Sequence, residues 1–260
     1  MENEIKYKSP KERVIFCDEN FAIMNKICGE VCSFEEGKGE NQDGYLPKIF
    51  EKVIAEKIGE IPEVIECVNR IDKPVSGLVI LALTKQSNGE LGTQLKLHKI
   101  KKQYYAIVEG CFKTFPADKE PCLLRHEMCF NTQTQKAYVK KQNQKNQGQK
   151  AKDFEYKLAE LYYKVIGTGE RYSFLEVELI TGRTHQIRCQ LSENKMPIKG
   201  DLKYGAKRSE KMGGIRLHAG KIALFHPVTK EYLEFVADFP YEDNLWKAVR
   251  DVLKKGDVNG

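Results

Sequence analysis

The sequence has no long hydrophobic run. Its longest uninterrupted apolar stretch is Leu78–Leu83, far short of the ~20 residues a bilayer-spanning helix needs, so no membrane association is expected. No pair among the 8 cysteines has C-x2-C spacing, and Cys28, Cys32, Cys122 and Cys129 fall too irregularly to suggest a zinc site. The opening MENEIKYKSPKER is charged and lacks the apolar core of a signal peptide. The cysteines therefore read as free thiols of a cytoplasmic protein, each a small buried hydrophobe, and not as a secreted disulfide framework. No internal repeat is visible.

What is present fits a folded, soluble chain. At 260 residues, with 41% hydrophobic and 31% charged side chains, it can bury a core, and one domain is expected. Lys and Arg number 43 against 37 Asp and Glu, a net charge of +6 that suits solubility as well as it suits a polyanionic partner. Clustering sharpens the reading. Lys96, Lys99, Lys101 and Lys102 lie together, as do Lys136, Lys140, Lys141, Lys145 and Lys150, the distribution a phosphate-tracking surface needs.

Val14–Cys17 and Phe21–Met24 read as strands about the turn Asp18-Glu19-Asn20, so the fold is expected to start near residue 14. Ile49, Phe50, Val53, Ile54 and Ile58 have helical spacing. Pro74 and Gly77 then punctuate a polar stretch before a buried strand, which places Arg70, Asp72 and Lys73 on a loop feeding a rigid element. Residues 85–98 read as helix and Gln103–Val108 as strand. KKQNQKNQGQKAK, residues 140–152, is nearly free of apolar groups and reads as a hairpin tip or insertion. Strands are predicted at Phe154–Leu158, Phe174–Leu179 and Lys221–Phe225, with helices at Gln186–Leu191 and Asn244–Leu253.

A lone Arg-x-Asp such as Arg70-Ile71-Asp72 is more often a surface salt bridge than a site. A second cluster, Thr181-Gly182-Arg183-Thr184-His185-Gln186-Ile187-Arg188, changes the weighting. It sets several donor side chains directly after a strand, with Gly182 allowing a tight turn and Thr184 positioned to cap the following helix.

Together NRIDKPVSGLVILALT and TGRTHQIR resemble the RluA-type RNA pseudouridine synthases. KKQYYAIVEG is similar to that family's Lys-x-Tyr-x-Ala strand, MPIKGDLKYG to its Pro-Ile-x-Gly-Asp turn, and LHAGKIALFHP to its Leu-His-Ala strand. The resemblance implies an α+β fold, a mixed and mostly antiparallel sheet flanked by helices with a central RNA-binding cleft. It implies a polar extension at 1–13 with no S4-type domain, a catalytic domain at 14–240 carrying the insert, and a C-terminal helix and tail at 241–260. It further implies Asp72 as catalytic carboxylate, Tyr104 as active-site tyrosine and Arg188 as the cation pairing with that aspartate. Arg70, Lys73, Lys102, Arg183, His185, Gln186 and Leu217 are implied as substrate contacts. Partner and state follow: ribosomal or transfer RNA, no metal, no cofactor, a monomer. The chain departs from the pattern at Asn69, where His is common, at Ile27, where Pro is common, and at Cys189-Gln190, where Val-His is common.

Physically, a guanidinium beside a pocketed carboxylate keeps it ionised. Asp72 has three routes open: attack on the ribose anomeric carbon, addition to the pyrimidine ring, or assistance to a glycal. Tyr104 offers a flat face and a hydroxyl, and Arg70 is long enough to serve base flipping. Leu217 belongs to an apolar wall that excludes water. His185 and His218 read as hydrogen-bonding residues steadying the loops near Arg188. Two rivals remain, a non-catalytic RNA-binding protein and a glycoside or nucleoside hydrolase. The hydrolase needs a second acid across the bond, and no second Asp or Glu is expected beside either cluster.

Overall fold

The computed structural model describes residues 7–33, 44–113, 120–140 and 155–257. The chain forms two compact units, residues 1–105 with 210–260, and residues 106–209. The Lys/Gln-rich insert after Lys140 lies outside the described residues.

In the first unit, β1 (Val14–Cys17), β2 (Phe21–Lys26), β4 (Ser76–Ala82) and β10 (Leu217–Phe225) lie side by side in that order. The short β3 (Glu66–Cys67) pairs with β4, and β11 (Tyr232–Val236) with β10. All these pairings are antiparallel except β4 with β10, which is parallel through Ser76–His218 and Gly77–Ala219. Every residue of β4 is buried, as the continuous apolar run at Leu78–Leu83 leads one to expect. Helix α2 (Lys85–Lys96), capped by the Thr84 hydroxyl, packs Leu91 against Phe21, Ile23, Leu78, Ile80 and Leu224. Helix α1 (Leu46–Ile58) buries Leu46, Phe50 and Ile54 and ends at Gly59 in the left-handed conformation, which glycine adopts without a Cβ penalty.

Two boundaries differ from expectation. The fold begins before residue 14: a 3-10 turn at Pro10–Arg13 buries Arg13, whose guanidinium donates to both Glu30 carboxylate oxygens at 2.8 Å. That pair forms only in three dimensions, so Arg13 is indistinguishable in sequence from its exposed neighbours. Helix α4 (Asn244–Asp257) is anchored by Trp246 and Val249, each 1% exposed. Trp246 stacks on Phe239 at 4.6 Å, an anchor that the Leu245–Val249–Leu253 spacing overlooks.

The second unit contains β6 (Cys122–Asn131), β7 (Lys136–Val139), β8 (Lys157–Thr168), β9 (Tyr172–Leu179) and α3 (Gln186–Glu193). The strand order is β9-β8-β6-β7, all antiparallel. The strand predicted at 154–158 is in fact β8, beginning at Lys157 and far longer. Its buried Ala159, Leu161 and Val165 alternate with half-buried polar and aromatic residues, a period-2 signal diluted by tyrosines. β6 is unmarked in the sequence because Arg125, His126 and Glu127 interrupt its buried Leu124 and Met128.

Candidate active site

In the first unit the Asp72 loop is held from its backbone. The Asp72 carbonyl accepts from Val75 N at 2.9 Å, closing a turn around Lys73 and Pro74. Gly29 N donates to the Lys73 carbonyl at 2.8 Å, and Ile215 N to that of Pro74 at 2.9 Å. Lys26 ends β2 fully buried, and its ammonium donates to the carbonyls of Ile27 (3.0 Å), Lys73 (3.3 Å) and Val75 (2.6 Å). Those bonds use all the donors an ammonium has. Burial lowers the Lys26 pKa, with the charges of Cys32, Cys28, Glu30 and Asp72 opposing the shift. Sequence motifs do not single Lys26 out, and its one signal is that of a lysine ending a strand whose first four residues are apolar.

Asn69, where the family often has His, fixes the other flank. Its Oδ1 accepts from Ile80 N at 2.7 Å and its Nδ2 donates to the Leu78 carbonyl at 3.4 Å. Gly77, at φ 118°, lies against Ala219 so closely that a Cβ would collide with the Ala219 backbone, so glycine is required for β4 to pair there. The result is a half-buried Asp72 carboxylate between an exposed Arg70 and an exposed Lys73.

Tyr104 and Tyr105 on β5 (Lys101–Glu109) face opposite sides of their strand. Tyr105 packs on Gly220, where a Cβ would overlap its ring, and against Phe239 at 5.8 Å. Tyr104 is 6% exposed, and burial followed by the negative charge of Asp72 raises its hydroxyl well above the ordinary tyrosine value. At neutral pH it is therefore a proton donor, not a phenolate. Lys102, two residues before it and so on the same side, is half-buried, and burial alone lowers its pKa. Leu217 is 3% exposed at the start of β10. His218 beside it bonds Ser76 Oγ through Nδ1 at 2.9 Å, and burial pushes its pKa down to about 3.

In the second unit the Thr181–Arg188 turn organises itself differently from expectation. Thr184 does not cap α3; the N-cap is His185 in the left-handed conformation at φ 56°, with no side-chain cap bond. The side chain of Gln186 takes over. Its Oε1 accepts from Thr181 Oγ1 (2.8 Å) and Arg183 N (2.9 Å), and its Nε2 donates to the Glu160 carbonyl (3.0 Å). These bonds brace the turn before α3 from the first residue of the helix. Arg183 stays exposed, its Nε donating to the Leu158 carbonyl at 3.0 Å.

Arg188 is buried, and its Nε and Nη2 donate to the two Asp201 carboxylate oxygens at 2.7 and 3.0 Å. Its guanidinium also lies over the Tyr204 ring at 4.9 Å. Tyr204 Oη accepts from Ala137 N at 2.7 Å and bonds His185 Nδ1 at 2.9 Å, so His185 steadies the platform under Arg188. This corrects the expectation that no second carboxylate stands beside either cluster. Asp201 comes from the MPIKGDLKYG turn and reaches Arg188 because the chain folds back after α3, which spacing along the sequence cannot show. It is only 2% exposed. The departures at Cys189-Gln190 are structural: Gln190 Nε2 bonds the Leu124 and Ala159 carbonyls, each at 3.2 Å, and His126 Nδ1 at 2.9 Å. Cys189 packs with Met128, Ala137 and Tyr204.

Among the described residues no three His, Cys, Asp or Glu side chains gather into a metal-binding group, and no helix is long and apolar enough to cross a membrane.

An α+β fold with these polar motifs on strand ends defines a class of RNA-modifying isomerase, and residues 20–193 match the RNA pseudouridylate synthase family. The chain belongs to that family, whose members convert uridine to pseudouridine in RNA. It is 30% identical over 189 residues to an uncharacterised RNA pseudouridine synthase, YlyB, of Bacillus subtilis strain 168, covering 73% of this chain and 56% of YlyB. It is 28% identical over 242 residues to the ribosomal large subunit pseudouridine synthase D of Zymomonas mobilis, covering 89% of this chain and 70% of that protein. The human RNA pseudouridylate synthase domain containing 4 shares the fold, with a TM-score of 0.67 at 18% identity over 94% of each chain.

Proposed function

We propose that the chain isomerises a uridine of large-subunit ribosomal RNA to pseudouridine, with Asp72 as the catalytic carboxylate. The observation that carries this reading is local. Asp72 is half-buried on a loop whose backbone is held at Lys73, Pro74 and Val75, and its charge is felt by the buried Tyr104 hydroxyl. A fixed loop costs no reorganisation when the reaction starts. Ribosomal RNA is favoured over transfer RNA because relatives such as the Zymomonas mobilis enzyme carry large-subunit ribosomal names.

The work of the side chains follows from their chemistry. Asp72 attacks the ribose anomeric carbon, adds to the pyrimidine ring or assists a glycal; each route breaks the N-glycosidic bond while the base is retained. Tyr104, held protonated, stacks on the flipped base and supplies or guides a proton. Arg188 supplies positive charge while its guanidinium is held by Asp201, Arg70 supports base flipping, and Lys73, Lys102 and Arg183 meet phosphate. His185 and Gln186 act by shaping the turn that presents Arg183 and Arg188, and Leu217 contributes apolar wall. The protein acts as a monomer in the cytoplasm, without metal or cofactor.

The test is to incubate the purified chain with transcribed large-subunit ribosomal RNA and, separately, with transfer RNA, then map pseudouridine and quantify free uracil. Pseudouridine at a defined ribosomal site is the expected product. Free uracil without pseudouridine would sink the reading in favour of a hydrolase, and modification of transfer RNA alone would move the substrate.

A further inference from the structure

The turn that grips the Asp72 loop is itself held by a buried carboxylate. Residues 27–30 turn the chain at the end of β2, with Gly29 at φ 95°. Lys26, Cys28 and Gly29 all meet the two residues that follow Asp72. The Lys26 ammonium donates to the Lys73 carbonyl at 3.3 Å, Gly29 N donates to the same oxygen at 2.8 Å, and Cys28 Sγ lies 3.3 Å from the Pro74 carbonyl oxygen. Glu30 closes this turn with its side chain. Its Oε2 accepts from Ile27 N at 3.0 Å and from Arg13 Nη1 at 2.8 Å, and its Oε1 accepts from Arg13 Nη2 at 2.8 Å. Arg13 Nη1 also donates to the Asn25 carbonyl of β2 at 3.2 Å, and the guanidinium lies over the Phe50 ring of α1 at 5.0 Å. Arg13 and Glu30 are only 4% and 6% exposed, so the carboxylate has little room to move.

We propose that Glu30, fixed by Arg13, is a positioning residue for the reaction: by tying the Ile27 amide it sets residues 26–29 against the Lys73 and Pro74 carbonyls and so aims the Asp72 carboxylate. Its catalytic consequence rests on the reading of Asp72 as the reacting group. A buried ion pair does not by itself stabilise a fold more than matched apolar side chains would. What the Arg13–Glu30 pair supplies is placement, a carboxylate oxygen held where the Ile27 N–H needs an acceptor.

The need for such a tie is local. A turn with glycine near its centre has more backbone freedom to lose than any other, and a bond from the side chain of its last residue to the amide of its first removes much of it. Ile27 stands where proline is common in the family. Proline fixes its own φ and has no N–H to offer a carboxylate, so the Ile27–Glu30 bond reaches by hydrogen bonding the restraint that a ring would build in. The charge of Glu30 also opposes the effect of burial on the Lys26 ammonium, whose bonds hold the same loop. A displacement of about 1 Å, even from a change far from the chemistry, costs on the order of 10²-fold in rate.

The full chain is compared with Glu30→Gln, alone and in the Ile27→Pro background, for kcat and KM on ribosomal RNA and for hydrogen exchange at the Gly29 amide. Glu30→Gln should lower kcat by about 10- to 10²-fold with KM held, the pattern of a group that acts on the transition state and not on binding. Gly29 exchange should quicken as its bond to Lys73 loosens. In the Ile27→Pro background the same change should cost less, because the amide that Glu30 served is gone. Since Glu30→Gln also takes the carboxylate from Arg13, the double change Arg13→Met with Glu30→Leu supplies the control. It removes both charges, should melt close to the parent, and should lose kcat all the same. Folded Glu30 variants with the parent's kcat, a change confined to KM, or an equal loss with and without Ile27→Pro each overturns the proposal. Failure of every Glu30 variant to fold overturns it as well, since the pair would then serve the fold itself. Asp72→Asn assayed alongside judges the underlying reading: turnover retained there removes Asp72 from the reaction, while Gly29 exchange, measured without RNA, still reports whether Glu30 holds the turn.

Discussion

The Asp72 loop and the Arg188 turn are both polar segments at strand ends, yet they hold their charges in opposite ways. Around Asp72 the bonds go to the backbone: Lys26, Gly29 and Ile215 hold the loop's carbonyls, and the carboxylate itself stays half-buried. Around Arg188 the bonds go to the side chain. The guanidinium is matched by Asp201 on two nitrogens and by the Tyr204 ring on its face. The first arrangement fixes a loop by its backbone, and the second fixes a charge by its side-chain partners.

The largest expected effect breaks the first arrangement. Asp72→Asn keeps shape and loop bonds, because those bonds are made by the backbone. It should fold and bind RNA normally while pseudouridine formation falls by on the order of 10⁴-fold or more, as when an essential group is removed. Quantified pseudouridine under single-turnover conditions checks this; substantial residual turnover would falsify the assignment. Next comes Tyr104→Phe, which keeps the ring and removes a hydroxyl whose ionisation burial and Asp72 oppose. Turnover should fall by about 10²-fold, within the range expected for deleting a proton-transfer group, with RNA affinity held. Tyr105→Phe, on the opposite face against Gly220, should change turnover little, and the reverse ranking would exchange the two roles.

These two changes also mark what could be read from the sequence. Strand and helix existence around Asp72 was legible because β4 is buried on both faces and announces itself as an apolar run. That Tyr104 and Tyr105 face opposite sides was legible because a strand alternates, whereas the choice of Tyr104 came from the family resemblance. Lys26, Asp201 and Tyr204 were not, because each acts on a residue distant in sequence: Lys26 on Val75, Asp201 on Arg188, Tyr204 on Ala137. The Thr184 cap failed for a related reason. A Ser/Thr rule looks one turn ahead, whereas here His185 takes the N-cap position and Gln186 turns back to Thr181 and Arg183.

The second arrangement breaks through stability. With side chains 5% and 2% exposed, removing the Asp201 charge takes from a buried guanidinium the carboxylate that its Nε and Nη2 donate to, a loss of about 3–5 kcal/mol. Asp201→Asn should lower denaturant midpoints accordingly. Replacing both partners by apolar residues of similar volume should cost less than Asp201→Asn alone, and a larger cost for the double change would show that the pair does more than neutralise itself. A smaller effect concerns His218, held neutral in the first unit by burial with its pKa at about 3. In the unfolded chain an imidazole titrates near ~6.5, so the unfolded state takes up the proton first. The contribution is present above ~6.5 and is lost as pH falls from there toward 3, at up to about 1.4 kcal/mol per pH unit. His218→Gln should flatten that part of the stability profile in urea melts, and an unchanged slope would assign the acid sensitivity elsewhere.

The smallest expected effect asks which unit grips RNA more. The basic groups divide between Lys96, Lys99, Lys101 and Lys102 in the first unit and Lys136, Lys140, Lys141, Lys145 and Lys150 in the second. Lys140 already faces Glu127 at 2.8 Å and the Tyr156 ring at 5.6 Å, so Lys140→Gln alone should leave the salt dependence of binding nearly unchanged. Replacing Lys140, Lys141, Lys145 and Lys150 together by Gln removes up to four charges able to neutralise phosphate. If the insert grips RNA, the logarithmic salt slope shrinks by up to roughly 0.7 to 0.9 for each phosphate no longer neutralised. Turnover at saturating RNA should hold, since none of these lysines is assigned to the uracil. Affinity measured across a salt series on ribosomal RNA decides it. An unchanged slope in the fourfold variant, with a reduced slope on replacing Lys96, Lys99, Lys101 and Lys102, would move the docking surface to the unit that carries Asp72.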